Sequence, residues 1–220
     1  MLTLVDTCLA TPAARGRLCA CLEPSAFGRL RAVAGDCRLM GGEVLFAQGD
    51  PADELYGLRQ GAVMLVQHLG KRRQVLSFLF PGDTFGFAEG GVHGCTAIVL
   101  RRAGFCRFPL SALDGDPQLA SRLHAIARAR LLDGLDQLLR LGRMTAAERL
   151  ADFLHWLWQR LDRPVDLHLP MRLMDVADHL GLRPETISRQ MAALREAGLI
   201  GALSADGILP VLDGPGLRRR

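Results

Sequence analysis

Residues 169–200 contain two helical patterns separated by a tight turn, and this stretch constrains the fold more than any other. The apolar residues of the first pattern recur at i, i+3, i+4 and i+7, on one side of a helix: Leu173, Val176, Ala177 and Leu180. Gly181 ends the pattern, since glycine readily adopts the left-handed conformation that terminates helices. Pro184 suits the first turn of the next helix, where a missing N–H costs no hydrogen bond. These features predict a helix-turn-helix, whose second helix enters the major groove of DNA.

The second predicted helix has an inward and an outward face. Its inward stripe consists of Ile187, Met191 and Leu194. On the outward face, Arg189 can donate two hydrogen bonds to guanine O6 and N7, Glu185 can accept from cytosine N4, and Ser188 can contact a base or a phosphate. The alternative is an ordinary solvated face, but the turn, both stripes and the basic surroundings favour base reading. We assign three nearby arginines to phosphate contacts: Arg172, Arg183 and Arg195.

The motif E-x-x-S-R opens the second helix and follows a first helix of the type D-V-A-D-H-L-G-L. In these residues the chain resembles the FNR/FixK branch of the Crp–Fnr transcription regulators, and the resemblance extends over nearly the whole chain. It implies half-sites of the TTGAT…ATCAA type on double-stranded DNA, read by Glu185, Ser188 and Arg189.

The chain has 220 residues, a length that suits one large or two small domains. Hydrophobic residues make up 49% of it, which is sufficient for a packed core. A net charge of +4 is compatible with a polyanionic partner. No apolar run approaches the roughly 18 residues of a membrane span, and the N-terminus lacks the pattern of a signal peptide. We therefore expect a cytoplasmic protein with no membrane partner, in which the six cysteines do not form structural disulfides.

Short apolar runs alternate with glycine-bearing turns from Cys37 to about Leu110, with turns expected at Gly61 and Gly104 among others. The runs lie at 44–46, 54–58, 62–66, 74–80 and 96–100. Many short strands at near-regular spacing predict a sandwich or a barrel-like roll. The phrases G-A-V at 61–63 and RRQVLSFLFPGDTFGF at 72–87 resemble the cyclic-nucleotide-binding β-roll of the same family.

The resemblance also indicates where a cyclic nucleotide would bind. The nucleotide-binding members have a glutamate after the G-D-x-x-G turn for the ribose, and an arginine about ten residues later for the phosphate. Phe87 and Cys95 stand at the matching places. Neither supplies a bidentate, permanently charged group, so we predict that the roll does not bind cyclic AMP in the usual way. Arg101 and Arg102 come too late and are expected to face solvent.

Leucines and other apolar residues recur at three- and four-residue steps through residues 117–141. Such a helix is roughly 36 Å long, too long for the roll alone to cover, which favours pairing with a second copy. Burial against its own domain is the alternative; the family uses this helix to form homodimers. Residues 142–145 are expected to form a hinge, and Thr145 with Glu148 matches a capping box that opens the next helix.

The predicted fold is therefore α+β: a cyclic-nucleotide-binding-like β-roll, a long dimerisation helix and a C-terminal winged helix-turn-helix. The expected ranges are an N-terminal segment with a short helix at 1–36, the roll at 37–116, the long helix at 117–142 and the DNA-binding domain at 143–220. Asp206-Gly207 between apolar runs predicts the hairpin of the wing, and residues 162–170 are expected to form a loop. Trp156 and Trp158 are expected to serve packing.

FNR-type relatives carry a [4Fe–4S] cluster on three cysteines near the N-terminus and a fourth in the roll. By this resemblance Cys8, Cys19 and Cys106 match ligands, Thr11 stands in place of the second ligand, and Cys21 can supply the missing thiolate. The alternative is a cluster-free relative whose cysteines are small apolar residues. That alternative applies outright to two cysteines: Cys37 and Cys95. Haem is a lesser option, because no histidines have ligand spacing.

Three functions remain open at this point. The first is a dimeric transcription regulator that responds to oxygen or redox state. The second binds the same DNA without a cofactor and is controlled by its abundance or by thiol oxidation. The third, an enzyme with a helical appendage, lacks support because no catalytic motif is present. By family analogy alone, the basic loop 67–74 contacts RNA polymerase.

Overall fold

The fold is described from a computed structural model that covers residue 18 and residues 22–70, 72–112 and 116–218. The chain divides into two compact units, residues 1–133 and 134–220. Four residues singled out above lie outside the described ranges: Cys8, Thr11, Cys19 and Cys21.

The first unit begins with helix α1 (Pro24–Val33) and continues into antiparallel strands. The strands are β1 (Gly35–Leu39), β2 (Val44–Phe46), β3 (Glu54–Leu69), β4 (Arg72–Leu79), β5 (Thr84–Phe85) and β6 (Thr96–Pro109). They pair in the order β1-β6-β3-β4, with β2 beside β6 and β5 beside β3. A short 3₁₀ turn, Leu110–Ala112, follows. The predicted roll is confirmed.

Two of the turns expected from glycine are wrong, because Gly61 and Gly104 lie inside the long strands β3 and β6. The register between these strands shifts around Gly61, whose φ is +87°. A Cβ on Gly61 would lie only 2.4 Å from the carbonyl oxygen of Arg102. Glycine is therefore needed at this position for the close approach of two strands at a bulge, and not for a reversal of the chain.

Successive side chains of β3 point to opposite faces, and two apolar clusters result. The inner cluster fills the roll and consists of Phe46, Tyr56, Leu58, Val63, Leu79, Phe85, Ala97, Val99, Ala103 and Phe105. The outer cluster lies between the sheet and the helices and consists of Leu18, Leu30, Leu55, Cys106, Phe108, Leu119 and Ile126. The strand alternation thus gives one face to the interior of the roll and the other to the helices.

The long helix α2 (Pro117–Arg143) is buried only in its N-terminal half. There Arg130 donates from Nη2 to Asp83 Oδ1 at 2.7 Å, while Asp83 Oδ2 accepts from the backbone N–H of Phe80 at 2.7 Å. Five leucines farther along are exposed: Leu131, Leu132, Leu135, Leu138 and Leu139. The helix runs past the expected end, because Gly142 and Arg143, expected in the hinge, complete its last turn.

The second unit continues with α3 (Ala146–Arg160), which opens on the predicted capping box. The backbone N–H of Thr145 donates to Glu148 Oε2 at 2.6 Å, and the backbone N–H of Glu148 donates to Thr145 Oγ1 at 3.3 Å. These two bonds satisfy N–H groups that a helix start otherwise leaves unpaired. The sequence prediction is confirmed at this helix start.

The rest of the second unit is the winged motif. Its elements are β7 (Asp166–His168), α4 (Leu173–Leu180), α5 (Pro184–Glu196), β8 (Ile208–Pro210) and α6 (Gly214–Leu217). The loop expected at residues 162–170 is wrong in part, because β7 pairs with β8 and buries Leu167 opposite Leu209. Three residues are too few to show strand alternation in a sequence.

The wing turn and one tryptophan agree with the prediction. The N–H of Ser204 donates to the carbonyl of Ile208 at 2.9 Å, and Gly207 between them has a φ of +78°. Trp158 donates from Nε1 to the carbonyl of Pro164 at 3.0 Å and packs against Gly214. Within the described ranges, no helix combines the length and the apolar character that a bilayer crossing requires.

Candidate nucleic-acid interface

The helix-turn-helix is held by the two apolar stripes that the sequence shows. Val176, Ala177 and Leu180 on α4 are buried, as are the inward residues of α5. Gly181 has a φ of +63°, the left-handed conformation expected at the end of α4. Pro184 lies at the start of α5. The local geometry of the motif therefore follows the sequence prediction closely.

The outward face of α5 presents polar groups to solvent. Glu185, Ser188 and Arg189 are all exposed. Within the described part of the chain, the side chains of Glu185 and Arg189 have no hydrogen-bond or ion-pair partner. Ser188 Oγ donates to the carbonyl of Pro184 at 3.1 Å, which leaves its lone pairs free to accept. Ala192, which is half-buried, follows on the same side of α5 one turn later.

The three arginines assigned to phosphates lie before and after the residues of this face in the sequence, and all three are exposed. Arg183 immediately precedes α5, and Arg195 lies in its last turn. Arg172 precedes α4, and its Nε lies 3.6 Å from Asp175 Oδ2 although the arginine side chain is 77% exposed. An exposed ion pair of this length is weak, so Arg172 remains available to an anion.

A further arginine, Arg149 on α3, was missed by sequence reasoning. It donates from Nε to the carbonyl of Met144 at 3.0 Å, from Nη2 to that of Leu141 at 2.8 Å and from Nη1 to that of Leu180 at 3.2 Å. Its acceptors come from the end of α2 and the end of α4. The only signal in the sequence is its place next to the capping-box glutamate, and this does not reveal its partners.

Cys106 is buried on β6 among the residues of the outer cluster, which also contains Leu18, the sequence neighbour of Cys19. Cys37 and Cys95 are half-buried free thiols that pack against the inner cluster, and burial raises the pKa of Cys95. No group of three or more potential metal ligands exists among the residues that the structure describes.

A buried cation lies on the same sheet. The Arg59 side chain is 8% exposed, and its Nη1 is 3.9 Å from Asp36 Oδ1. Among the described residues, Nε and Nη1 of Arg59 have no hydrogen-bond partner. The strand register places Cys106 between Asp36 and Gly57. Sequence reasoning missed Arg59, because a lone arginine between apolar strand residues gives no sign of its burial.

The two positions matched to nucleotide ligands carry a phenylalanine and a cysteine, Phe87 and Cys95. Phe87 is 41% exposed, and Arg101 and Arg102 face solvent, as expected. His93 is buried and stacked on Phe46 with ring centroids 3.6 Å apart, and burial lowers its pKa.

Two domain families match the chain. Residues 148–220 match the Crp-like helix-turn-helix domain, and residues 37–115 match the cyclic nucleotide-binding domain. Together they cover the winged motif and the roll.

Curated and solved proteins give the same result. The chain is 36% identical over 165 residues to the nitrogen fixation regulation protein FixK of Rhizobium meliloti, covering 74% of this chain and 77% of that protein. It is 34% identical to the transcriptional activatory protein AadR of Rhodopseudomonas palustris, with 87% and 83% of the two chains covered. The structure of FixK2 from Bradyrhizobium japonicum superposes with a TM-score of 0.79 at 32% identity, covering 85% of this chain and 96% of that one.

Proposed function

Because the chain belongs to the FNR/FixK branch of the Crp–Fnr superfamily, we propose that two copies of it read a TTGAT…ATCAA-like palindrome. The chain is a DNA-binding transcription regulator and not an enzyme. Its two-fold target, its dimeric state and its signal are proposals. A regulator of chromosomal genes in bacteria acts in the cytoplasm, and we propose that location.

The observation that carries this proposal is the outward face of α5. Arg189 and Glu185 expose a guanidinium and a carboxylate, without partners among the described residues, four residues apart on one side of the helix. A G·C base pair presents two acceptors on guanine and one donor on cytosine in the major groove. The single G·C pair of a TTGAT half-site therefore suits this pair of side chains.

Binding to a labelled duplex tests the proposed target. We expect the palindrome to be bound at least about a hundredfold more tightly than a duplex of the same composition with both half-sites scrambled. Fluorescence anisotropy at several salt concentrations separates this preference from the general attraction to phosphates, which weakens with salt for both duplexes. Equal affinity for the two duplexes would refute the assignment of the target.

The exposed leucines of α2 support the proposed homodimer. Leu135 is 48% exposed and Leu138 is 65% exposed, and an apolar stripe on a long helix is stable when a second helix covers it. Replacing both by glutamate should give monomers in analytical ultracentrifugation at concentrations where the wild type is dimeric. Asp136→Ala, on the same exposed part of α2, is the control and should remain dimeric. A monomeric wild type would contradict the proposal.

For the signal, we propose a [4Fe–4S] cluster held by Cys8, Cys19, Cys21 and Cys106. The described residues fit such a group in two respects. Cys106 is buried in a cluster that includes Leu18, next to Cys19 in sequence. Arg59 brings a buried positive charge to the same sheet, and its Nε and Nη1 have no hydrogen-bond partner among the described residues, although Nη1 lies 3.9 Å from Asp36 Oδ1. A cluster on four thiolates is an anion. When bound, the cluster would supply sensitivity to oxygen; Cys106 would hold it to the roll.

The competing proposal keeps the DNA-binding role without a cofactor, with control by abundance or thiol oxidation. Thr11 in place of a ligand supports it. In either case we propose that the roll does not use cyclic AMP, because Phe87 and Cys95 offer no group for a ribose or a phosphate. Cyclic AMP should then leave the melting temperature unchanged, and a saturable shift at micromolar nucleotide would overturn this proposal.

A contact with RNA polymerase is proposed from family analogy alone. The region 67–74 lies where β3 meets β4. His68, Leu69 and Arg72 are exposed there. Charge reversal at Arg72 should lower transcription in a reconstituted assay without changing DNA affinity.

A further inference from the structure

Arg149 joins the ends of two helices. The last carbonyls of a helix have no partner within it, and they carry the negative end of the helix dipole. Arg149 donates to the carbonyl of Leu141 in the last turn of α2, to that of Met144 just after α2 and to that of Leu180 at the end of α4, at 2.8, 3.0 and 3.2 Å. A guanidinium suits this task because it is permanently charged and its N–H groups fan out in one plane.

Other contacts join the same two regions. Arg140 Nη1 lies 2.7 Å from Asp152 Oδ2, and Gln137 Nε2 lies 3.4 Å from His179 Nδ1. Leu141 also approaches the turn between α4 and α5, since a Cβ on Gly181 would lie 3.7 Å from Leu141 Cδ2. Residues 137–144 are therefore attached to α3 and to the first helix of the helix-turn-helix within one compact unit.

The turn of α2 that precedes residues 137–144 contains a residue that destabilises the helix. Gly134 lies inside the helix, and a Cβ on it would have no neighbour within 4 Å. Glycine destabilises a helix interior by about 1 kcal/mol relative to alanine, so the helix is intrinsically weaker at Gly134 than at its neighbours. The boundary between the two compact units also falls between Asp133 and Gly134.

We propose that Arg149 is a positioning residue for DNA recognition: it makes residues 137–144 and the helix-turn-helix one body, and α2 flexes at Gly134. A two-fold reader binds well only when both recognition helices keep the separation and orientation of the half-sites. This inference rests on the proposed dimer and palindrome. The proposed flexible point is therefore Gly134 inside the long helix, instead of the hinge expected from the sequence at residues 142–145.

The test is the dependence of DNA affinity on the spacing of the half-sites. Wild type, Arg149→Met, Arg149→Lys and the control Arg143→Met are compared on the palindrome and on duplexes with one base pair more or less between the half-sites. Loss of the Arg149 hydrogen bonds should reduce the preference for the best spacing by at least about threefold in Arg149→Met. The reduction should be smaller in Arg149→Lys and absent in Arg143→Met. General destabilisation lowers the affinity for all spacings alike. The ratio of affinities for the best and the altered spacing therefore changes only if the positioning of the two recognition helices changes.

Two further measurements separate the possible outcomes. Hydrogen exchange should accelerate in Arg149→Met at residues 140–144 and 180–183 together, and Gly134→Ala should sharpen the spacing preference by stiffening α2. A wild type without spacing preference would refute the proposed palindrome; a wild type with that preference, unchanged in Arg149→Met, would refute only the role of Arg149. Unchanged hydrogen exchange in both regions would also refute the proposal that Arg149 joins them. An unaltered spacing preference in Gly134→Ala would refute the proposal that α2 flexes at Gly134.

Discussion

Arg189 and Arg59 show how differently one residue type is used in this chain. Arg189 is exposed with a guanidinium that has no partner among the described residues, whereas the Arg59 side chain is 8% exposed and lies near one carboxylate. An exposed arginine is free to bind a base edge or a phosphate. A buried arginine needs an anion nearby, since an unpaired buried charge is costly. Burial therefore separates the proposed recognition residue Arg189 from Arg59, whose charge lies near a carboxylate inside the protein.

Replacing Arg189 by alanine should weaken binding to the palindrome by about 1–3 kcal/mol, because two hydrogen bonds to guanine are lost. The preference for guanine at that position should flatten in a competition series with single base changes. Arg183→Ala is the matched control and should weaken binding to all sequences alike, since it is assigned to a phosphate. An equal loss on cognate and scrambled DNA in Arg189→Ala would show that this residue does not read a base.

Replacing Gly61 by alanine should destabilise the first unit by at least about 1–3 kcal/mol, because φ is positive and the new Cβ meets a carbonyl oxygen. Denaturant unfolding measures this change. Gly28→Ala is the control: it lies in α1, with no atom within 4 Å of its Cβ, and should be neutral or slightly stabilising. Equal effects of the two substitutions would contradict the close approach of β3 and β6.

At the scale of elements, the start of α3 and the end of α2 are held by different means. Thr145 and Glu148 satisfy the start of α3 locally, over three residues. The end of α2 depends on Arg149, which also reaches α4. Local caps can be found in a sequence because their spacing is fixed, whereas a cap from a neighbouring helix cannot.

Replacing Thr145 by alanine should cost about 1 kcal/mol of stability, the usual effect of losing an N-cap side chain. The backbone N–H and then the hydroxyl of Thr145 hold the pKa of Glu148 below its usual range. A lowered folded pKa means that this stabilisation is present above the ordinary glutamate pKa of about 4.3 and is lost as the pH falls through the folded value. Thermal melts between pH 7 and pH 3 should therefore show a smaller acid loss in Thr145→Ala. Parallel pH profiles would disprove the coupling.

At the scale of the whole molecule, the N-terminal unit carries the proposed signal and the C-terminal unit carries the DNA-binding face. α2 belongs to both, with residues 117–133 in the first unit and residues 134–143 in the second. A signal received near Cys106 affects DNA binding only if it stabilises one state of the protein more than another.

Anaerobic purification decides between the two proposed signals. With a cluster we expect about four irons per chain and a broad absorbance near 400 nm that air bleaches. Cys106→Ala should abolish the colour and the anaerobic gain in DNA affinity, and Cys37→Ala should change neither. Iron-free anaerobic protein that binds the palindrome would establish the cofactor-free alternative. The next thiols to examine would then be Cys19 and Cys21, close in sequence to Arg15 and Arg17.

The sequence by itself determined the features that depend on a few neighbouring residues. Helical spacing places Glu185 and Arg189 on one face, and Gly181 and Thr145 mark helix ends, because the geometry of a helix fixes which residues share a side. Strand spacing predicted a sandwich or a roll, and the family resemblance favoured the roll and added the expected DNA site. These parts of the fold could be predicted without any knowledge of long-range contacts.

Only the tertiary structure decided the features that depend on segments distant in the sequence. The sequence around Gly61 suggests a turn, but in the structure β6 passes so close that a Cβ on Gly61 would lie 2.4 Å from the carbonyl oxygen of Arg102. β7 gains its strand conformation from β8, about forty residues later. Arg149 binds carbonyls at the ends of two other helices, and the Arg59 side chain is buried near Asp36 of β1, which no local pattern predicts. Approach between distant segments sets these roles, and the local sequence carries no record of it.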